Sequence, residues 1–454
     1  FLIHDRPIHM RCDDSVVRAD TGASETLAFP SGADARAPRP SANGIVFLRR
    51  SRGYAPAPLS VGEPFGQHTL ACGGELKSTF CLGREHHAFL SQHIGDLENY
   101  ETLRTFREGI THFCGLFDVR PQLVAHDLHP DYLSTKYARE LEEEGLPAIG
   151  VQHHHAHIAA CLVDNDRPRA ERVIGVALDG TGYGTDGAIW GGEFLKGSIQ
   201  EGFTRVAHLE YAPLPGGAAA IREPWRLALA RLIAGYGEKE AAELPLAVVR
   251  QTSRRDIHLV AQLVEQRINT PPTSSAGRLF DTVAALLDLP GSRRITYEGQ
   301  AAVELELAAS QPPGGGLLRT WRAHAGTRPQ PNRPCRPASA GRPGSSESED
   351  RLEPKDRIYP FNLHWDGTCR IAETAGIITG VVEDLLGGCS VDEIAVAFHR
   401  TMAALVVAVC TSIREEYGQH PVALSGGVFQ NKRLARQVIE SLTRQEFMVY
   451  CHRR

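Results

Sequence analysis

The stretch VQHHHAHIAACLVDN (Val151–Asn165), with VIGVALDGTGYGTDG (Val173–Gly187) after a short charged spacer, decides how the rest of the chain is read. His153, His154, His155 and His157 fall within five positions. A helix over 152–163 would stack His153 and His157 at i and i+4 on one face. That is the spacing at which two imidazoles hold one metal ion. A lone histidine would be read as a core or surface residue, but four together ahead of an Asp-Gly loop favour the ion. His154 and His155 point to other faces, toward substrate or a structural role. The apolar run Val173–Leu178 reads as a buried strand, so Asp179 emerges at its end, where α/β proteins place their sites. Gly180, Gly182, Gly184 and Gly187, with Thr181 and Thr185, predict a turn whose backbone amides line a phosphate. Two imidazoles, a carboxylate and a glycine loop imply a metal-assisted nucleotide site.

Downstream, GAIWGGEFLKGSI (Gly187–Ile199) pairs with the preceding strand as a hairpin, and RVAHLEYAPL (Arg205–Leu214) supplies a third strand. This succession opens a ribonuclease-H-like lobe, the unit doubled in actin-like ATPase (ASKHA) folds. The expected fold is therefore α/β with paired lobes of that kind. Helices follow in Pro224–Gly237, Gly277–Leu289 and from Tyr297 onward. Near the end, Ser390 and Glu393 form a capping box ahead of a long helix closed by Gly418. ALSGGVFQN (Ala423–Asn431) is then a strand, a Gly-Gly turn and a helix start, a second place where small residues admit a ligand to free amides. Asp281, early in its helix, either accepts hydrogen bonds from a ribose or answers the helix dipole.

Upstream, residues 1–65 read as strands and turns, with a loose Ala/Pro/Gly-rich loop over 24–41. Arg49, Arg50 and Arg52 read equally as a grip on a phosphate or RNA backbone and as a solvated basic turn. His126, Asp127 and His129 suggest a second metal cluster, but the Pro130-Asp131 that follows makes Asp127 or Asp131 a helix cap instead. Residues 311–357, rich in Pro, Arg, Ser and Gly, read as a disordered insertion.

The 454 residues fit two or three domains. A net charge of −5 argues against a broadly basic nucleic-acid surface. No uninterrupted apolar run is long enough to span a bilayer and no signal peptide is visible, so a cytoplasmic protein without membrane contact is expected. Its ten cysteines are scattered and read as reduced thiols. The opening at Phe1, in FLIHDRPIHMRCDDSVVR, reads as the last strands of a sheet begun elsewhere, which suggests a fragment.

Eleven motifs together resemble the HypF carbamoyltransferases that mature nickel–iron hydrogenases. They are HDRPIHMRCDDSVVR, RRSRGYAP, LACGGELKSTFCL, SQHIGDLEN, HDLHPDYLST, VQHHHAHIAA, ALDGTGYGTDGAIWGGE, REPWR, SSAGRLFDTVAALL, YEGQAAVELE and ALSGGVFQN. The resemblance implies the end of a YrdC-like domain over 1–65 and a carbamoyltransferase domain over 66–310 and 358–454, interrupted at 311–357. It implies His153, His157 and Asp179 as ligands of a divalent metal, zinc or iron. Asp179, Gly180, Thr181, Gly182, Tyr183, Asp281, Gly299, Gly426, Gly427 and Asn431 would hold ATP or AMP as the carbamoyl-adenylate. The acceptor it implies is the C-terminal cysteine of the partner HypE, and the YrdC-like remnant implies weak RNA binding. Family members continue into a Pro-Pro-Asn-Asp-Gly-Gly turn whose aspartate completes the metal site, and this chain ends at Arg454 before such a turn. The alternative expectation is an inactive fragment that retains only nucleotide or HypE binding.

Overall fold

The computed structural model describes residues 5, 8–19, 45–310 and 357–453. The loop expected at 24–41 and, apart from Arg357, the insertion expected at 311–357 lie outside the described residues. The chain divides into two compact units. One comprises residues 1–171, 198–202 and 450–454, the other residues 172–197 and 203–449. The division at Glu171–Arg172 falls inside the segment 66–310, expected to hold an N-terminal lobe and the start of a second.

In the first unit, β1 (Val16–Ala19) and β2 (Ile45–Arg49) form an antiparallel ribbon. Beside them in sequence come β3 (Leu59–Ser60), β4 (Thr69–Ala71), β5 (Cys81–Arg84), β6 (His87–Leu90), β7 (Leu123–Asp127) and β8 (Ala148–Val151). These make a mixed sheet in the order β3-β6-β5-β4-β7-β8. Three helices follow the same logic: α1 (Tyr100–Leu116), α2 (Leu133–Glu143) and α3 (His153–Asp164). The parallel pairs β4–β7 and β7–β8 require crossovers, which α1 and α2 supply. Asn99 starts α1 by accepting from the amides of Glu101 (2.9 Å) and Thr102 (3.4 Å). Phe106, Ile110 and Phe113 of α1 then bury against Phe80, Leu82 and Val124. At α2 neither Asp127 nor Asp131 is the cap. Glu75, distant in sequence, accepts from the Leu133 amide at 2.6 Å, while the Asp127 carboxylate meets His153 of α3.

The second unit holds β9 (Val173–Tyr183), β10 (Ile189–Ser198), β11 (Gly202–Leu209), β12 (Ala212–Pro213), β13 (Pro272–Thr273), β14 (Leu363–Trp365), β15 (Arg370–Ala372), β16 (Val422–Ser425) and β17 (Val449–Tyr450). The order is β14-β15-β11-β10-β9-β16-β17, with β9–β10 antiparallel and β9–β16 parallel. The helix Ala276–Leu286 buries every residue but Arg278, and Phe280 meets Phe398 of the helix Val391–Tyr417 with ring centroids 4.8 Å apart. The capping box of Ser390 and Glu393 is formed. Among the described residues, Val391–Tyr417 alone is long and apolar enough to cross a membrane, but its apolar window is 67% buried within the fold. The architecture is mixed α/β in both units.

One local expectation fails. Residues 180–183 are not an open phosphate-binding turn, because β9 runs on through Tyr183, with Gly182 opposite Trp190 and Tyr183 opposite Ile189. The reversal lies later, where Gly184 donates its amide to Ala188 (2.9 Å) and Gly187 to Gly184 (3.1 Å). Strand pairing with β10 outcompetes the turn that the glycines favour locally.

Candidate functional site

The candidate side chains fall into two groups, the histidines in the first unit and Asp179 with its glycine neighbours in the second. β8 runs parallel to β7 with Val151 opposite Asp127, so the chain enters α3 directly beside that carboxylate. Gln152 caps α3, its Oε1 accepting from the amides of His154 (2.7 Å) and His155 (3.1 Å). The helix stacks His153 and His157 with ring centroids 4.9 Å apart, as the i, i+4 spacing predicts. Nδ1 of His153 meets Asp127 Oδ2 at 2.7 Å. A carboxylate on Nδ1 fixes the tautomer and raises the basicity of Nε2, the pattern that prepares an imidazole for a metal. Asp127 is itself held, its Oδ1 accepting from the His129 amide at 2.8 Å and its backbone carbonyl from Thr135 Oγ1 at 3.0 Å.

His154 is wholly buried, with Nδ1 against the Gln152 amide nitrogen at 3.2 Å, and is structural. Burial pushes the His155 imidazole below its ordinary pKa. The triplet His126, Asp127 and His129 is not a cluster of ligands. His126 turns Nδ1 to the Asp127 carbonyl (2.7 Å), and His129 stacks on Tyr132 at 4.0 Å. Asp127, one of two residues whose place before a helix predicts a cap, instead orients His153. Its signal was present in the apolar run Leu123–Ala125 carrying a carboxylate out at a strand end.

In the second unit, the ladder slips beside Asp179. Leu178 faces Gly192 and Gly182 faces Trp190, so Asp179, Gly180 and Thr181 stand against Gly191 alone. Such a bulge re-aims a side chain out of the sheet's alternation. Asp179 Oδ1 accepts from the amides of Gly180 (2.7 Å) and Gly427 (3.2 Å). The bend Gly426–Gly427 therefore lies against this carboxylate. Gly426 has φ +99°, and a Cβ on it would stand 2.2 Å from the Leu178 carbonyl oxygen. Ser275, absent from the candidates drawn from sequence, caps its helix and reaches the carbonyls of Asp179 (2.8 Å) and Gly180 (2.6 Å) with its hydroxyl. Gly277 comes so close that a Cβ would lie 2.9 Å from Gly180 Cα. The small run Ser274–Gly277 was the available signal.

The other candidates have different neighbours. Thr181 shares the bulge, while Gly182 and Tyr183 belong to the β9–β10 ladder. Asp281 lies beyond the first turn of its helix, which removes the dipole explanation, and pairs with Arg278 at 3.0 Å. Burial pushes its carboxyl up, and Arg278 pulls it back. Gly299, φ +76°, precedes the helix Gln300–Ser310 with open space where a Cβ would be. Asn431 is engaged at both ends of its amide, with Oδ1 on the Leu434 amide (2.9 Å) and Nδ2 on Nε2 of buried His399 (2.9 Å). Of the basic turn, Arg50 donates to the carbonyls of Tyr54 and Ala57, and Arg52 to that of Cys12 with Asp14 at 3.4 Å. Two of its three guanidinium groups thus brace the first unit.

A chain with this mixed α/β architecture matches family models of carbamoyltransferase domains. "Carbamoyltransferase, Kae1-like Domain, second subdomain" covers residues 175–324 and 347–454, and "HypF Kae1-like domain" covers 65–164. The carbamoyltransferase HypF2 of Cupriavidus necator is 39% identical over 97% of this chain and 49% of its own length. A HypF homolog of the same organism is 34% identical over 81% of this chain and 82% of its own. A crystal structure of full-length HypF in a phosphate- and nucleotide-bound form superposes with TM-score 0.78 and 34% identity, covering all of this chain and 59% of that one. The chain belongs to the HypF family. It spans about half the length of the first curated relatives it matches.

Proposed function

We propose that this chain carries the carbamoyl-transfer site of a HypF-type carbamoyltransferase, passing carbamoyl from carbamoyl-adenylate to the C-terminal cysteine thiolate of HypE in the cytoplasm. The observation that carries the reading is the imidazole pair of α3, with His153 oriented by Asp127 at 2.7 Å, in a chain of this family. His153, His157 and Asp179 would hold a divalent cation, zinc or iron. The donor set fits, being two stacked imidazoles, one backed by a carboxylate, and a carboxylate that accepts from the amides of Gly180 and Gly427. Such a cation supplies Lewis-acid polarisation of a phosphoryl or carbamoyl oxygen when bound.

The order β11-β10-β9-β16-β17, with β9 antiparallel to β10 and parallel to β16, supports a ribonuclease-H-like lobe of the ASKHA kind for the second unit. In that frame the adenylate lies along the Asp179–Thr181 bulge and the Gly426–Gly427 bend, where missing side chains let backbone approach it. Asp281, Gly299 and Asn431 then shape the adenosine end, Asn431 through the helix it caps. In the reaction the thiolate sulfur forms a bond to the carbamoyl carbon, and the bond from that carbon to the phosphate oxygen breaks. AMP leaves with the electron pair.

The test mixes the chain with synthetic carbamoyl-adenylate, zinc or ferrous iron, and a peptide of the HypE C-terminus. The expected result is a cysteine carrying one added carbamoyl group by mass spectrometry. No product with metal present, while the peptide still binds, would overturn transfer in favour of docking alone.

A further inference from the structure

A second set of metal-ligating side chains lies in the second unit, away from β9. β15 pairs in parallel with β11 so that Ile371 faces His208, and the four-residue turn between Trp365 and Arg370 is thereby brought beside that histidine. His208, Asp366 and Cys369 each present a ligand atom, all within 4.8 Å of one another. His208 and Cys369 are buried, and Asp366 is at the surface.

Two of the three groups are already oriented. His208 turns Nδ1 to the Leu209 carbonyl at 2.8 Å, which makes Nε2 the ligating atom and fixes the ring. Asp366 Oδ1 accepts from the amides of Thr368 (2.7 Å) and Cys369 (2.9 Å) and from Thr368 Oγ1 (2.8 Å), so the carboxylate is locked over its own turn. The nearby Arg205 would oppose a cation, but it is matched by Asp186 (2.9 Å) and Glu193 (3.4 Å) and bonded to Tyr211 (2.8 Å).

We propose that His208, Asp366 and Cys369 bind a divalent transition metal, with one imidazole, one thiolate and one carboxylate as protein ligands and water completing the shell. Imidazole with thiolate selects a borderline-soft ion such as zinc over magnesium or calcium. The proposal does not depend on the carbamoyl-transfer reading, because none of these residues belongs to that site.

Cobalt(II) is the probe, added to the full chain and followed by absorption. A thiolate-to-cobalt charge-transfer band in the near ultraviolet is expected, and His153, His157 and Asp179 offer no sulfur that would produce one. The band should persist in His157→Ala and disappear in Cys369→Ser. Because Cys369 is buried, Asp366→Asn at the surface serves as the second variant. It should weaken cobalt binding at least tenfold, about the lower end of the effect of losing even a ligand's partner. A wild-type chain with no band, a band that survives in Cys369→Ser, or unchanged affinity in a folded Asp366→Asn would overturn the assignment.

Discussion

The histidine helix of the first unit and the Asp179 bend of the second solve the same problem by opposite means. In α3 the spacing is local, since one helical turn separates His153 from His157 and Gln152 caps the helix from the adjoining position. Only Asp127 comes from elsewhere, 26 residues away in sequence. At Asp179 nearly everything is remote. Gly427 is 248 residues on, Ser275 is 96 residues on, and the carboxylate is aimed by a slip in a ladder that the glycines themselves do not encode. A helix can carry chemistry on its own periodicity, whereas a strand end needs partners to fix where its carboxylate points.

The sharpest way to break this contrast is at Gly426. Gly426→Ala forces a Cβ to 2.2 Å from the Leu178 carbonyl at φ +99°, and the contact is backbone on both sides. A loss of about 4 kcal/mol is expected, strain and overlap together, measured by urea unfolding of the full chain. An unchanged midpoint would show that the bend is not rigid. His157→Ala addresses the other region. It should lower zinc affinity by about 100-fold or more, near 3 kcal/mol, with little change in stability, read by calorimetric titration.

Acid sharpens the comparison further. Burial holds His399, the partner of Asn431 behind the Gly426–Gly427 bend, down to about 4. Between its ordinary value near 6.5 and about 4, the unfolded chain binds the proton and the folded chain does not, so stability falls as pH drops through that window. The loss is on the order of 3 kcal/mol, from the difference between the two values. Thermal melts from pH 7 to 4 should show it, and His399→Gln should flatten the slope. The smallest effect expected is at Asp127→Asn, which keeps the hydrogen-bonding shape but removes the charge behind His153. Zinc affinity should fall about 10-fold, the lower part of the range for such partners, with the fold unchanged by circular dichroism. Equal affinity would make Asp127 merely structural.

Much of the site was legible because its signals are periodic or chemical. Four histidines in five positions, a carboxylate at the end of an apolar run and a Gly-Gly turn after a strand can each be read without coordinates. The length of β9 could not be read. Glycines at 180, 182 and 184 favour a turn by propensity, yet pairing with Trp190 and Ile189 carries the strand through Tyr183. Nor could the helix cap on α2, where Glu75 reaches Leu133 across 58 positions and leaves Asp127 for His153. Asn431 illustrates the same limit. Its place at a helix start was plain, but its engagement with His399 required the packing of two helices.

What the sequence determined by itself was the set of chemistries and the elements that bear them, because capping, periodicity and buried runs act over a few residues. Tertiary structure alone decided which carboxylate backs which imidazole, how the Asp179 ladder slips, and that His208 meets Asp366 and Cys369. Those outcomes depend on strand register and long-range burial, which no local preference encodes.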